Sequence, residues 1–236
     1  SHLEAMHAWV RALRRAKVPV AYSQGFHPHP RVAFSSAMPQ NQASIGEYLD
    51  VSLTERVDPG ELAARLATVL PAGFGIHGHA EVDLRAPSLM SLVEGAVYTV
   101  YLPELTREQL EERVATVLAA DELPVERRRK SKNKRGKWKS GPRTAPVDIR
   151  PMIQALTVRE TTEVPAVDVV LHAVEGKGPK MRELLDFLAP ESALARVLRR
   201  ETLVRSGDSL VALSSCWERY APGAEAPPAV EQPAAG

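Results

Sequence analysis

The residues best equipped for chemistry lie in Ser23-Gln24-Gly25-Phe26-His27-Pro28-His29-Pro30. Two imidazoles at i, i+2 can ligate a metal, carry protons or stack, and Phe26 adds an aromatic plane. The X-Pro steps at Pro28 and Pro30 hold the backbone extended, and Gly25 admits a turn closed to other residues. The segment is either a rigid structural corner or a recognition loop, whose contacts would be Ser23, Gly25, Phe26, His27, His29 and Pro30, joined by Glu47 and Tyr48. A second polar cluster follows in Gly46-Glu47-Tyr48-Leu49-Asp50. Glu47, Asp50 and the hydroxyls of Tyr22, Ser23 and Ser36 are candidate acid/base groups near His29, and Asp50 and His29 are the catalytic candidates. The simpler alternative is that Glu47 and Asp50 are the solvent-facing residues of an alternating strand. No nucleophile elbow, phosphate-cradling glycine loop or dinucleotide fingerprint accompanies them.

His27/His29 and His77/His79 form two H-x-H pairs, each placed on one face by strand alternation. The strand order derived below sets the pairs on opposite sheet edges, and no carboxylate sits at ligand spacing beside either, so no metal site is expected. The other chemistry is electrostatic. Between Arg127 and Arg143 there are ten Lys/Arg and no Asp/Glu, which leaves twenty basic against twenty-nine acidic residues elsewhere, a net of −9 beneath a total of +1. Arg127, Arg128, Arg129, Lys130, Lys132, Lys134, Arg135, Lys137, Lys139 and Arg143 have the chemistry to track phosphates, and Trp138 can stack on a base. A solvated hairpin tip that keeps the protein soluble is the alternative. With no helix-turn-helix or zinc-finger pattern, ribosomal or transfer RNA is a better fit than duplex DNA. Asp148 and Arg150, within Val147-Asp148-Ile149-Arg150-Pro151, would share a strand face as a surface ion pair or as an edge touching RNA or a partner.

Apolar residues make up 44% of 236 residues and charged ones 25%, the profile of a soluble globular protein with room for one large or two small domains. The single Cys216 excludes an internal disulfide framework and any multi-cysteine metal or cluster site made by this chain alone, and it points to a reducing, cytoplasmic setting. No run approaches the ~20 apolar residues of a membrane span. Ser1-His2-Leu3-Glu4 reads as a capping box that opens a helix at once, so any preceding strand would lie outside this sequence.

The first helix is predicted from Leu3 to Lys17, with Leu3, Met6, Val10 and Leu13 on its buried stripe. Extended segments are expected at Val20 to Tyr22 and Arg31 to Ser35, and a strand at Tyr48 to Leu53. Asp58-Pro59-Gly60-Glu61 starts a helix that buries Leu62, Leu66, Val69 and Leu70. A strand over Ile76 to Val82 follows. The second half opens on a strand over Val97 to Leu102, then a helix capped by Thr106 with Leu110, Val114, Val117 and Leu118 inward. A strand leads into the basic segment, and another is expected at Ala166 to Ala173. Gly178-Pro179 opens a helix burying Met181, Leu184, Leu185 and Leu188. Strands near Val197 to Arg205 and Leu210 to Leu213 close the order.

These orders read as an α+β chain of two tandem ferredoxin-like (βαββαβ) units, the first lacking its opening strand. Residues 1–86 form the first unit, residues 95–213 the second with a basic insertion at 127–143, and the Pro/Ala-rich residues 221–236 a disordered tail.

Ala12-Leu13-Arg14-Arg15-Ala16, Pro19 to Tyr22, the Ser23–Pro30 segment and Gly46–Asp50 together resemble the radical-SAM-associated (radical-SAM-linked) domain of unknown function, and Asp148-Ile149-Arg150-Pro151 matches its second-half signature. The likeness extends to about Leu213, with Asn41 to Ile45 departing from the Gly-containing loop of that pattern. It implies a radical SAM protein as partner, which would carry the iron–sulfur cluster and S-adenosylmethionine, because Cys216 alone cannot supply a three-cysteine cluster motif. The leading expectation is a non-catalytic RNA-binding or substrate-presenting accessory in RNA or ribosome maturation, without a cofactor of its own. The alternatives are an RNA-modifying enzyme of pseudouridine-synthase-like architecture, with Asp50 as its acid, and a protein–protein scaffold without RNA.

Overall fold

The computed structural model describes residues 2–36, 39, 41–129, 143–160, 162–174 and 178–224. The helices are α1 (His2–Arg15), α2 (Pro59–Ala67), α3 (Leu89–Leu92), α4 (Arg107–Ala119) and α5 (Met181–Leu188). The strands are β1 (Val32–Phe34), β2 (Gln42–Ser44), β3 (Leu49–Val51), β4 (Val93–Tyr101), β5 (Pro124–Arg129), β6 (Arg143–Asp148), β7 (Ile153–Val158), β8 (Ala166–His172), β9 (Arg196–Ser206) and β10 (Ser209–Ala212). The fold is mixed α+β, with antiparallel and mixed sheets. The chain divides into two compact units: residues 1–97 with 197–236, and residues 98–196. The strands after Val197 therefore belong with the first half of the sequence.

In the first unit α1 buries Ala8, Ala12 and Leu13, with Trp9 and Ala16 beside them, while Leu3 is exposed. The buried face is thus rotated from the predicted Leu3-Met6-Val10-Leu13 stripe. Alanines at i and i+4 bring the helix backbone close to its neighbours, so the larger residues flank the contact instead of filling it. Lys17 ends the turn at φ +50°, a left-handed C′ conformation. The carbonyls that α1 leaves open are bound from α2: the Arg65 guanidinium donates to Lys17 O at 2.9 Å and also to Ala16 O. The predicted start of α2 is present, with Asp58 accepting from Glu61 N at 2.8 Å and Pro in the first turn.

β1 and β3 pair antiparallel, Ala33 opposite Asp50, and β3 ends in an isolated bridge between Val20 and Leu53. β9 pairs antiparallel with β10 and parallel with β2. Residues 76–82 form no strand, contrary to expectation. They lie against the C-terminal 3-10 turns instead: a Cβ on Gly78 would meet the Trp217 ring at 2.6 Å, and Asp83 N–H donates to Tyr220 O at 2.7 Å.

In the second unit α4 packs against β7, β8 and α5. Its capping box is complete, Thr106 Oγ1 accepting from Gln109 N and Gln109 Oε1 from Thr106 N. Leu110, Val114 and Val117 are buried as predicted, but Leu118 is exposed, since a 3.6-residue period carries it off the stripe. β7 and β8 pair antiparallel with an irregularity between Ile153 and Ala155. The extended segment expected at Val147 to Pro151 breaks after Asp148 into a 3-10 turn over Arg150–Met152. The predicted C-terminal tail falls outside the described residues from 225 onward.

Two substitutions test this core by urea unfolding. Leu110→Ala, at a fully buried position, is expected to lower stability by about 2–5 kcal/mol. Thr106→Ala removes only a cap and should cost about 1 kcal/mol.

Candidate functional site

The site is built outward from the place where Gly46 meets β9. A Cβ on Gly46 would lie 2.4 Å from Glu201 Cα and 2.5 Å from Glu201 N, so only glycine lets the two backbones touch. Around that contact Ile45 N–H donates to Arg199 O at 3.0 Å and Thr202 Oγ1 donates to Gly46 O at 2.6 Å. The Glu201 carboxylate accepts from Tyr48 OH at 2.6 Å, Ser214 Oγ at 2.8 Å and its neighbour Thr202 N–H at 2.8 Å. Burial, together with the bond to Glu201, pushes the Tyr48 phenol up to about 12. Tyr48 is therefore a neutral donor that locks β3 to β9. The fully buried Ser35 completes the seat, its Oγ accepting from Tyr48 N–H and its own N–H donating to Tyr48 O.

Glu47 and Asp50 differ from Tyr48. The Glu47 carboxylate stands 3.7 Å from the buried Arg199 guanidinium, which donates to Ser36 Oγ at 2.7 Å. Burial raises the Glu47 carboxyl above its ordinary value, and Arg199 and then His2 pull it partly back. Burial alone raises Asp50. Asp50 is thus half-buried, and not the solvent-facing residue that simple alternation suggested. Its carboxylate disfavours folding when ionised, a signature more common at functional positions than at structural ones.

β3 in turn holds the neck of the Ser23–Pro30 loop. Ser52 is gripped from both sides: Ala21 N–H donates to Ser52 O at 2.8 Å, and Ser52 N–H donates to Arg31 O at 2.9 Å. Arg31 N–H donates to Ala21 O at 2.8 Å and Tyr22 bridges Pro30, closing the neck. Across the loop Ser23 N–H donates to His29 O at 2.8 Å, and His29 N–H donates to Ser23 Oγ at 3.0 Å. Gly25 takes φ +132°, open to glycine alone. The backbone is tied, yet residues 22–29 are all exposed, and Phe26 is as accessible as in an isolated peptide. His29 thus presents its ring outward, while its main chain closes the loop. Ser36 and Glu47 gather around Arg199 instead, so the structure does not assemble the predicted acid/base groups into one constellation. His79 lies beside the start of α2, its Nε2 3.5 Å from where a Gly60 Cβ would be. With no strand over 76–82, the alternation argument for His77 and His79 lapses. Among the described residues no group of three or more His, Cys, Asp or Glu is placed to hold a metal ion.

The basic segment belongs to the second unit. β5 and β6 form a two-stranded ladder from Pro124 opposite Asp148 to Arg129 opposite Arg143. Its root is anchored. Arg127 pairs with Glu183 of α5 at 2.6 Å, both side chains largely buried, and also donates to Gly178 O at 3.1 Å. Burial would raise the Glu183 carboxyl, but the hydrogen bonds from Arg127 and Lys180 N–H hold it below the usual range. Arg150 donates to Leu118 O at 2.9 Å and Ala120 O at 3.2 Å, capping α4. Asp148 Oδ1 accepts from Leu123 N–H at 2.7 Å and Arg150 N–H at 2.9 Å. Asp148 and Arg150 therefore do not share a strand face. Arg127 and Arg150, expected to contact RNA, both have their guanidinium groups bound within the unit. Arg128 is exposed. Lys130, Lys132, Lys134, Arg135, Lys137, Trp138 and Lys139 lie outside the described residues, as do the side chains of Arg129 and Arg143.

Sequence reasoning missed Arg199, Glu201, Thr202 and Ser214, which complete the seat of the Gly46–Asp50 segment. One signal was legible: Arg199-Arg200-Glu201-Thr202 stands between the apolar pairs Val197-Leu198 and Leu203-Val204 of β9, and buried polar groups inside a strand need partners.

The geometry defines a mixed α+β protein that displays a clamped, fully exposed aromatic loop. The chain belongs to the bacterial family described as an uncharacterized protein conserved in bacteria (DUF2344), which matches residues 1–182. A search of curated proteins found no match. The matched range includes the exposed loop, Gly46–Asp50 and the β5–β6 ladder, and it ends before β9. No described helix is long and apolar enough to cross a membrane.

The raised Asp50 carboxyl has a measurable consequence. A group whose folded value lies above its unfolded one contributes stability that is full below the unfolded value, ~3.9, and lost as pH rises through the folded value. Asp50→Asn mimics the protonated form. Its urea midpoint should exceed that of the parent at neutral pH, and the gap should close as pH falls toward ~4. Gly46→Ala, in contrast, should unseat β3 from β9 and lower the midpoint at every pH.

Proposed function

We propose that this chain is a cytoplasmic, non-catalytic RNA-binding or substrate-presenting accessory of a radical SAM protein, built on tandem ferredoxin-like units and working in RNA or ribosome maturation. The observation that carries the RNA reading is the β5–β6 ladder. Its register sets Arg129 opposite Arg143, the last and first residues of the flanking strands, so the acid-free cationic stretch between them issues from an anchored two-stranded root. Clustered Lys and Arg side chains neutralise phosphates and release counterions, and binding of this kind is independent of sequence. The partner assignment rests on the motifs of the first half and of Asp148–Pro151. With one cysteine in the sequence, the cluster and S-adenosylmethionine belong to the partner in this reading.

A variant with Arg128, Lys130, Lys132, Lys134, Arg135, Lys137 and Lys139 changed to Gln tests the proposal and leaves the structural Arg127 and Arg150 intact. Its affinity for structured RNA should fall. The slope of log affinity against log salt should become shallower by about 0.7–0.9 for each phosphate contact removed. Unchanged affinity and slope would sink the RNA reading and favour a protein scaffold.

A second reading, an RNA-modifying enzyme of pseudouridine-synthase-like architecture, draws on one observation, the desolvated Asp50 carboxyl. Loss of a modified nucleoside in cells carrying Asp50→Asn, with the protein still folded, would favour it. An unchanged nucleoside profile favours the accessory.

A further inference from the structure

We propose that the Ser23–Pro30 loop is a stacking site for an unpaired nucleobase of RNA, with Phe26 as the platform; this deepens the RNA reading and rests on it. Three observations carry it. The loop is preorganised, because its neck is closed by the Ser23–His29 and Arg31–Ala21 hydrogen bonds and its turn is set by Gly25. An aromatic plane held by a rigid backbone loses little freedom when a base lies on it. Phe26 is fully exposed in surroundings that are not apolar, flanked by Gln24, His27 and His29. Recognition of an unpaired base joins an aromatic face to nearby hydrogen-bonding groups of this kind.

The third observation is charge. Residues 5–46 contain five Lys/Arg and no Asp/Glu, although the whole chain carries twenty-nine acidic residues. All five cations, Arg11, Arg14, Arg15, Lys17 and Arg31, are exposed, though Arg15 also donates to Val69 O at 2.8 Å, and Arg31 sits at the loop neck itself. An aromatic platform within an acid-free, cationic stretch suits a phosphodiester strand whose bases are free to stack. Stacking uses the π-face common to every base, so the site should discriminate single-stranded from paired RNA more than one sequence from another.

Fluorescence anisotropy of a labelled short oligouridylate, titrated with the full chain, tests this. Phe26→Ala should weaken binding by about 5–150-fold while leaving the salt slope unchanged, because stacking neutralises no phosphate. Phe26→Leu should lose affinity similarly, and Phe26→Tyr should retain it. Unlabelled single strand should displace the probe better than duplex RNA of the same length. Parental affinity in Phe26→Ala or Phe26→Leu, or equal displacement by duplex, would overturn the stacking site while leaving the RNA reading to the cationic-segment variant. A shallower salt slope in Phe26→Ala would also overturn it, by making the loop a phosphate contact. No binding by the parent chain to this probe or to structured RNA would overturn both. Phe26 touches no core residue, so circular dichroism of each variant should match the parent.

Discussion

The first unit depends on one close approach, the contact of the Gly46 backbone with that of Glu201. A side chain at position 46 would occupy the space of the Glu201 main chain. Once the backbones touch, Thr202 and Tyr48 fall within hydrogen-bonding reach of Gly46 O and the Glu201 carboxylate. That pins β3, and Ser52, the residue after it, grips the loop neck through both of its backbone hydrogen-bonding groups. The exposed aromatic is thus positioned by a chain of main-chain bonds that ends at a glycine more than a strand away. Loops that bind are commonly held in this way by a rigid scaffold at their base, with their tips in water.

Charge is used in two different ways. Arg65, Arg127 and Arg150 close carbonyl groups or pair with a buried carboxylate, and they act as architecture. Arg11, Arg14, Lys17, Arg31 and Arg128 stand in solvent. The distinction is energetic. Arg127 cannot turn to a ligand without leaving the largely buried Glu183 carboxylate unpaired, at about 1–3 kcal/mol or more. Exposed cations carry no such penalty and remain available to an anionic partner.

The acids of the Gly46–Asp50 segment run against folding. Burial raises the Glu47 and Asp50 carboxyls above their ordinary values, while Glu201 is satisfied by three donors. The three carboxylates thus have separate roles. Glu201 organises, Glu47 balances the buried Arg199, and Asp50 is held at a cost that the fold itself does not explain.

Much of the architecture follows from local sequence. The caps at Asp58 and Thr106, the apolar stripes of α4 and α5 and the composition of the exposed loop depend on neighbours within a few residues, where spacing and side-chain chemistry decide the outcome. Gly25 and the prolines made the turn of that loop legible for the same reason. What tertiary structure alone decided is which groups meet across long separations. Glu201 lies in a strand far along the chain from Tyr48, Arg150 turns back to cap α4, and residues 76–82 lie beside Trp217 with no strand partner. Periodicity records which face of an element is buried, and it holds no information on what distant surface covers that face. Hence the sequence by itself determined the longer helices and most of the strands, and the folded chain determined that residues 76–82 would pair with no strand, Glu47 and Asp50 would be desolvated, Arg127 and Arg150 internal, and Gly46 the one residue that the seat admits.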